Sequence, residues 1–267
     1  MSTILITGAA GGVGTILRPR LARSGRTLRL LDIEPLEAGP GEEVVRASVT
    51  DLAAMTEACG GVDAVVHLGG RSTEGPWESI LETNIDGTYK VFEAARRAGV
   101  PRVIFASSNH AVGFHTPDEY PLSEDVPTLP DTYYGVSKVT GEALGALYHH
   151  RYGLDVICVR ILTCFPKPRD PRSLSTWLSP DDATRLFEAC LATEKPGYRI
   201  VYGVSANTRG GWVSLEGAAA LGYSAKDDAE AYAAELIAEQ GEPSPDDPVF
   251  KYLGGHFALP RPDAENL

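Results

Sequence analysis

A doubly wound α/β fold around a parallel sheet is predicted by three features of this sequence. Short apolar, β-branched runs alternate with longer amphipathic stretches. The first run opens into a glycine-rich turn that starts a helix. The runs are apolar almost throughout, as strands covered by helices on both faces must be. Strands are expected at residues 3–7, 28–32, 43–46, 64–68, 102–107 and 155–161, and helices at 13–24, 51–59, 77–98 and 132–152. Gly99-Val100-Pro101 reads as a helix stop followed by a turn into the next strand. After Ile161 the pattern loosens into a proline-rich loop over 166–171, a helix near 180–193, a strand near 198–202 and a helix near 227–239.

A chain of 267 residues with 43% hydrophobic content suits one large domain of this kind. Its formal net charge of -12 excludes a general nucleic-acid binder, because displacing counterions from a polyanion needs clustered Lys and Arg. It equally disfavours docking on an anionic membrane. An anionic ligand would need a local positive pocket in this field. Cys59, Cys158, Cys164 and Cys190 form no CxxC pair and no ligand spacing, so reduced core thiols and no metal site are expected. No apolar run approaches the roughly 20 residues that span a bilayer, and the sequence enters a strand pattern at once, so a cytoplasmic protein is expected.

The glycine turn reads Thr7-Gly8-Ala9-Ala10-Gly11-Gly12-Val13-Gly14. Glycine permits a tight turn and lets bare backbone reach a pyrophosphate, whose charge a helix N-terminus favours. Asp32, at the end of the second strand, stands where a carboxylate would accept hydrogen bonds from an adenosine ribose. It would repel a 2′-phosphate, and no Arg lies in the glycine loop, so NAD is expected rather than NADP. Leu68-Gly69-Gly70, at the end of the fourth strand, is a second place for a dinucleotide to lie on bare backbone. These features make the fold Rossmann-type: residues 1–161 are an NAD-binding core and 162–267 a small substrate-binding portion of the same domain.

Tyr134-Gly135-Val136-Ser137-Lys138 places a phenol and an ammonium one helical turn apart. The fifth strand ends in Ser107-Ser108-Asn109-His110, at the sheet edge where such folds bind ligands. A phenol is a poor base at its ordinary pKa of about 10. An ammonium about 4 Å away supplies roughly the 3–4 kcal/mol needed to lower it by two to three units. Oxidised nicotinamide would add positive charge, and Ser108 could hold a substrate oxygen against Tyr134.

These residues resemble the short-chain dehydrogenase/reductase superfamily, in the variety whose loop reads TGxxGxxG. Over nearly the whole chain the sequence looks like the uronate dehydrogenases. The carrying segments are residues 8–14, His67-Leu68-Gly69-Gly70, Phe105-Ala106-Ser107-Ser108-Asn109-His110, 134–138, Leu174-Ser175-Thr176-Trp177 and Gly254-Gly255-His256-Phe257. The resemblance implies NAD-dependent oxidation of D-glucuronate and D-galacturonate at C1, giving the aldaric acid lactone. It makes Tyr134 the base and Lys138 its activator, and places Ser108, Asn109, His110, Ser72 and Thr163 around the sugar. It assigns Arg172 to the sugar carboxylate, with Lys167 and Arg169 as neighbouring rivals for that role. Ile33 and Ile161 fall along the cofactor. Where related enzymes often carry Asp after the third strand, this chain has Ser48-Val49, leaving the Ser48 hydroxyl or Val49 backbone for the adenine.

A nucleotide-sugar epimerase or dehydratase with tightly held NAD is the nearest alternative, though only about a hundred residues follow the sixth strand to form a cap. A non-catalytic dinucleotide-binding regulator is the other, disfavoured by the Tyr/Lys pair. The helices at 77–98 and 132–152 are expected to serve as packing faces of a homo-oligomer.

Overall fold

The computed structural model describes residues 2–23, 25–244 and 246–260. Its strands, in chain order, are β1 Ser2–Thr7, β2 Arg26–Asp32, β3 Glu42–Arg46, β4 Ala64–His67, β5 Arg102–Ser108, β6 Asp155–Ile161, β7 Thr163–Cys164, β8 Trp177–Leu178 and β9 Tyr198–Gly203. Seven of them make one parallel sheet in the order β3-β2-β1-β4-β5-β6-β9, and β7 pairs with β8. The chain winds outward from β1 to β3, then returns to β4 on the other side of β1. That reversal opens a crevice at the carboxyl ends of β1 and β4, where this class of sheet takes its ligand.

The helices are α1 Gly12–Leu21, α2 Leu52–Ala58, α3 Trp77–Ile80, α4 Gly87–Ala98, α5 Tyr133–Tyr152, α6 Ser173–Thr176, α7 Pro180–Ala192, α8 Glu216–Ala220 and α9 Ala233–Gln240. Pleating sends alternate side chains to opposite faces. Ile4 and Ile6 therefore join the core under α1 and α7, whereas Leu5 joins the core under α2, α4 and α5. The strand and helix predictions stand with adjusted ends. Asp51 and Thr132 are caps rather than helical residues: Asp51 accepts from the amides of Ala53 and Ala54, and Thr132 from that of Gly135. The helix expected over 13–24 ends at Leu21, and Ser24 lies outside the described residues. The helix expected over 77–98 is interrupted by a wider π turn at Leu81–Asp86. The one near 227–239 splits into a 3-10 turn, Ala229–Tyr232, followed by α9.

α5 lies unusually close to the sheet. A Cβ at Gly141 would overlap the Phe105 ring, and one at Gly145 would stand 2.8 Å from Val156. Beside this contact Glu142 and Arg160 form a fully buried ion pair, Nε–Oε1 and Nη2–Oε2 each 2.9 Å. Ser107 donates to the same carboxylate at 2.6 Å, and Arg160 also donates to the Glu124 carbonyl. Breaking a buried pair strands a charge in a medium that cannot solvate it. Arg160→Met is therefore expected to cost about 3–5 kcal/mol, read from the denaturant midpoint, and the Arg160→Met/Glu142→Met double variant to recover most of that loss.

Candidate active site

The loop after β1 shows what each glycine of the turn does. Gly8 is left-handed (φ 69°), and a Cβ there would lie 2.7 Å from the Gly69 amide nitrogen. A Cβ at Gly14 would collide with the Gly8 carbonyl, so that glycine seats α1 on its own loop. Gly12 has open space where a side chain would be. Gly11 caps α1 without a side-chain hydrogen bond, and the first turn of α1 carries no acid. The amides of Gly12, Val13 and Gly14 thus form an uncapped helix end beside open space, which fits a dinucleotide pyrophosphate.

Asp32 spends part of its carboxylate on the protein: Oδ2 accepts from the Ala10 amide at 2.9 Å and Oδ1 from that of Glu34 at 3.0 Å. Each oxygen keeps a further lone-pair site for a ribose hydroxyl. Ile33 beside it is 61% exposed, an apolar surface next to that carboxylate. Ser48 closes a local turn with Thr50, and Val49 is buried beneath Gly69, where a Cβ would stand 2.8 Å from its Cγ1. Val49 therefore supports the floor of the crevice with its side chain, leaving its backbone for contact with a ligand.

That floor is tied down by a buried chain. The Gly69 amide donates to Thr7 Oγ1 (3.1 Å), Thr7 Oγ1 lies 2.8 Å from His67 Nδ1, and His67 Nε2 lies 3.1 Å from Thr88 Oγ1. Burial and the nearby Lys138 push the imidazole down to about 3, so His67 is neutral. Asn84, in the π turn, does similar work one loop on. Its Oδ1 accepts from the Arg71 amide at 2.8 Å, and its Nδ2 donates to the Arg71 carbonyl and to Ser137 Oγ. Sequence reasoning passed over Asn84, although a mid-helix Asn, a poor helix former, is a usable signal.

Tyr134 and Lys138 sit on the first turns of α5, whose leading amides are also held by Glu74, Tyr134 N–Oε2 at 2.8 Å. Both side chains are buried. Lys138 Nζ donates to the Ala106 carbonyl at 2.8 Å and lies 5.3 Å from the Tyr134 ring centre. Burial raises the phenol to about 12, a rise that its hydrogen bond with Ser108 opposes and the charge of Asp131 adds to. Burial lowers Lys138 to about 8, with Glu142 opposing. The expected lowering of the phenol is therefore not a property of the protein alone: desolvation dominates, and the ammonium is turned toward a carbonyl. Lys138 holds fewer protons folded than unfolded between pH 8 and 10.5, so stability from this group is gained as pH rises through that window. Relative to Lys138→Met, the native protein is expected to gain on the order of 3 kcal/mol between pH 7 and 10.5, measured as the difference between their unfolding free energies.

Beyond the phenol, Asn109, Arg172 and His110 converge on one short segment near the C-terminus. Asn109 Nδ2 donates to the Leu253 carbonyl at 3.1 Å, and Arg172 Nη2 donates to the same oxygen. Arg172 Nε is buried without a partner. Its rivals are engaged elsewhere: Arg169 lies 3.5 Å over Phe165 and Lys167 5.5 Å over Tyr232. His110 stacks on Phe257 at 4.4 Å and meets Tyr134 edge-on at 5.6 Å. Thr163 shares its hydroxyl with Thr176 at 2.9 Å. Ile161 ends β6 in the core, and Ser72 is exposed in the loop after β4.

The NAD dependent epimerase/dehydratase family model matches residues 4–180. Uronate dehydrogenase from Pseudomonas putida is 47% identical over 261 residues, covering 97% of this chain and 96% of that protein. The chain belongs to the uronate dehydrogenase branch of this family. A crystal structure of the uronate dehydrogenase from Agrobacterium tumefaciens, a tyrosine-to-alanine variant complexed with NAD, is 42% identical, with a TM-score of 0.91 and coverage of 97% of each chain. The NAD-dependent glucose-6-phosphate dehydrogenase of Haloferax volcanii is similar as well, 40% identical over 261 residues that cover 90% of this chain and 97% of that protein.

Proposed function

We propose that this protein is an NAD-dependent dehydrogenase that oxidises D-glucuronate and D-galacturonate at C1 to the aldaric acid lactone. The observation that carries the reading is Arg172: a guanidinium with an unpartnered, buried Nε, in the same cluster as Tyr134. A planar fork matches the two oxygens of a carboxylate. A phosphate dianion would call for more cations, and Lys167 and Arg169 lie over aromatic rings instead. NAD fits the crevice through the amides at the start of α1, the Asp32 carboxylate and the bare backbone at Gly69 and Gly70; when bound it accepts the hydride.

The chain's residues supply the rest. Arg172 grips the carboxylate, and Ser108, Asn109 and His110, with Ser72 and Thr163, hold the ring hydroxyls. Ser108 keeps the C1 hydroxyl against Tyr134, which takes its proton. Lys138 provides positive charge beneath the phenolate. Oxidising a cyclic hemiacetal yields a lactone. We further propose a homo-oligomer built on the exposed Trp77, Leu81 and Tyr89 and on Tyr133, Leu147 and Tyr152 of α5, to be checked by light scattering. A cytoplasmic location accords with this chemistry; among the described residues no helix is long and apolar enough to cross a membrane.

The deciding experiment is formation of reduced cofactor, followed by its absorbance. Glucuronate, galacturonate, glucose 6-phosphate and neutral aldoses are compared, each with NAD and NADP. Turnover of both uronates with NAD is expected; preference for the phosphate ester would overturn the reading.

A further inference from the structure

We infer that Asp131 is a positioning residue for the sugar site, acting through His110. This rests on the uronate reading of that site and adds to it a residue outside the Tyr/Lys/Ser set. The Asp131 side chain is fully buried. Its Oδ2 lies 2.7 Å from His110 Nδ1, and its Oδ1 accepts from the Thr132 hydroxyl at 2.9 Å. Three glycines make the space: a Cβ at Gly113 or Gly254 would overlap the carboxylate, and one at Gly135 would lie 3.2 Å from Oδ1. Gly254 and Gly113 are themselves joined by a 2.8 Å backbone hydrogen bond. The fold thus brings α5, the turn after β5 and the C-terminal segment together around one carboxyl group.

A carboxylate only accepts, so it assigns the proton of His110 to Nδ1 and leaves Nε2 as the acceptor. Phe257 covers one face of the imidazole and Tyr134 meets it edge-on. A ring clamped by its Nδ1 edge and by one face has one orientation, and its Nε2 acceptor selects a sugar hydroxyl that donates. Without Asp131 the ring is free to take the other tautomer, which offers a donor where the substrate also brings one.

Two readouts test this. The first is 15N NMR of histidine-labelled protein at pH 8.5, with the His110 signal identified by its loss in His110→Gln. The native spectrum should show Nδ1 protonated, and Asp131→Asn should shift His110 toward the other tautomer. The second is steady-state kinetics. Asp131→Asn should raise KM for glucuronate about ten-fold with a smaller change in kcat, the size expected for the loss of one neutral hydrogen bond to the sugar. In a His110→Gln background the same substitution should have almost no further effect, because the residue acts through the imidazole. Asp131→Ser, smaller and still polar, repeats both measurements if the amide variant folds poorly. An unmoved tautomer, an unmoved KM, or losses that simply add in the double variant would each overturn the inference. If the native enzyme turned over no uronate while the tautomer still depended on Asp131, the substrate reading would fall and the coupling of the two residues would stand.

Discussion

Tyr134→Phe is expected to lower kcat by a factor of roughly 100 to 10,000, the usual contribution of a positioned general base, with little change in KM or melting temperature. The phenol packs in the core end of α5 and interacts with Ser108, so a benzyl group fills the same space. The pH profile gives a sharper test than the rate alone. Burial holds the phenol at about 12 in the protein itself, so catalysis requires the added positive charge of Lys138 and of bound oxidised cofactor to bring it down. The rate of the native enzyme should therefore rise on an alkaline limb as the phenolate forms, and level off above about pH 8, where Lys138 sheds the charge that favours it. That limb should vanish in Tyr134→Phe. A Phe variant with near-native turnover, or one that kept the alkaline rise, would remove Tyr134 from the chemistry.

Arg172→Ala should cut kcat/KM for glucuronate by roughly a hundred-fold, about 3 kcal/mol, because truncating one side of a desolvated charge pair leaves the other unpaired. The loss should appear mainly in KM, since the carboxylate is bound in both ground and transition states. Arg172→Lys should not restore it. The guanidinium lies in a slot beside Gly255, where a Cβ would stand 2.7 Å from Nε, with one Nη on the Leu253 carbonyl and its Cζ 5.2 Å over Trp212. A point charge on a flexible stem cannot make the same planar contacts. Equal losses for glucuronate and for an aldose without a carboxylate would show that Arg172 is structural.

Much of the architecture was legible because its signals are local. Continuous apolar runs mark the strands, and the amphipathic stretches between them mark the helices. Even so, the π turn at Leu81–Asp86 was read as ordinary helix, because the residue that goes with it, Asn84, finds its partner in a loop 13 residues upstream. The Tyr/Lys spacing was legible for the same reason as the helices: one turn of helix fixes which residues share a face. Asp131 was not. In a Pro-Asp-Thr stretch before a helix it looks like an ordinary capping acid, and its burial depends on glycines at 113 and 254.

By itself, then, the chain's order of residues determined the alternation of elements, the glycine turn, and the pairing of phenol with ammonium, all of which depend on neighbours within a few positions. Only the folded molecule decided that Lys138 turns to the Ala106 carbonyl, that burial raises the phenol rather than lowering it, and that Asn109 and Arg172 meet on the Leu253 carbonyl, 144 and 81 residues away. The physical reason is that hydration and charge pairing are set by what packs in from distant parts of the chain. A backbone oxygen, moreover, carries no signature in the letters of a sequence.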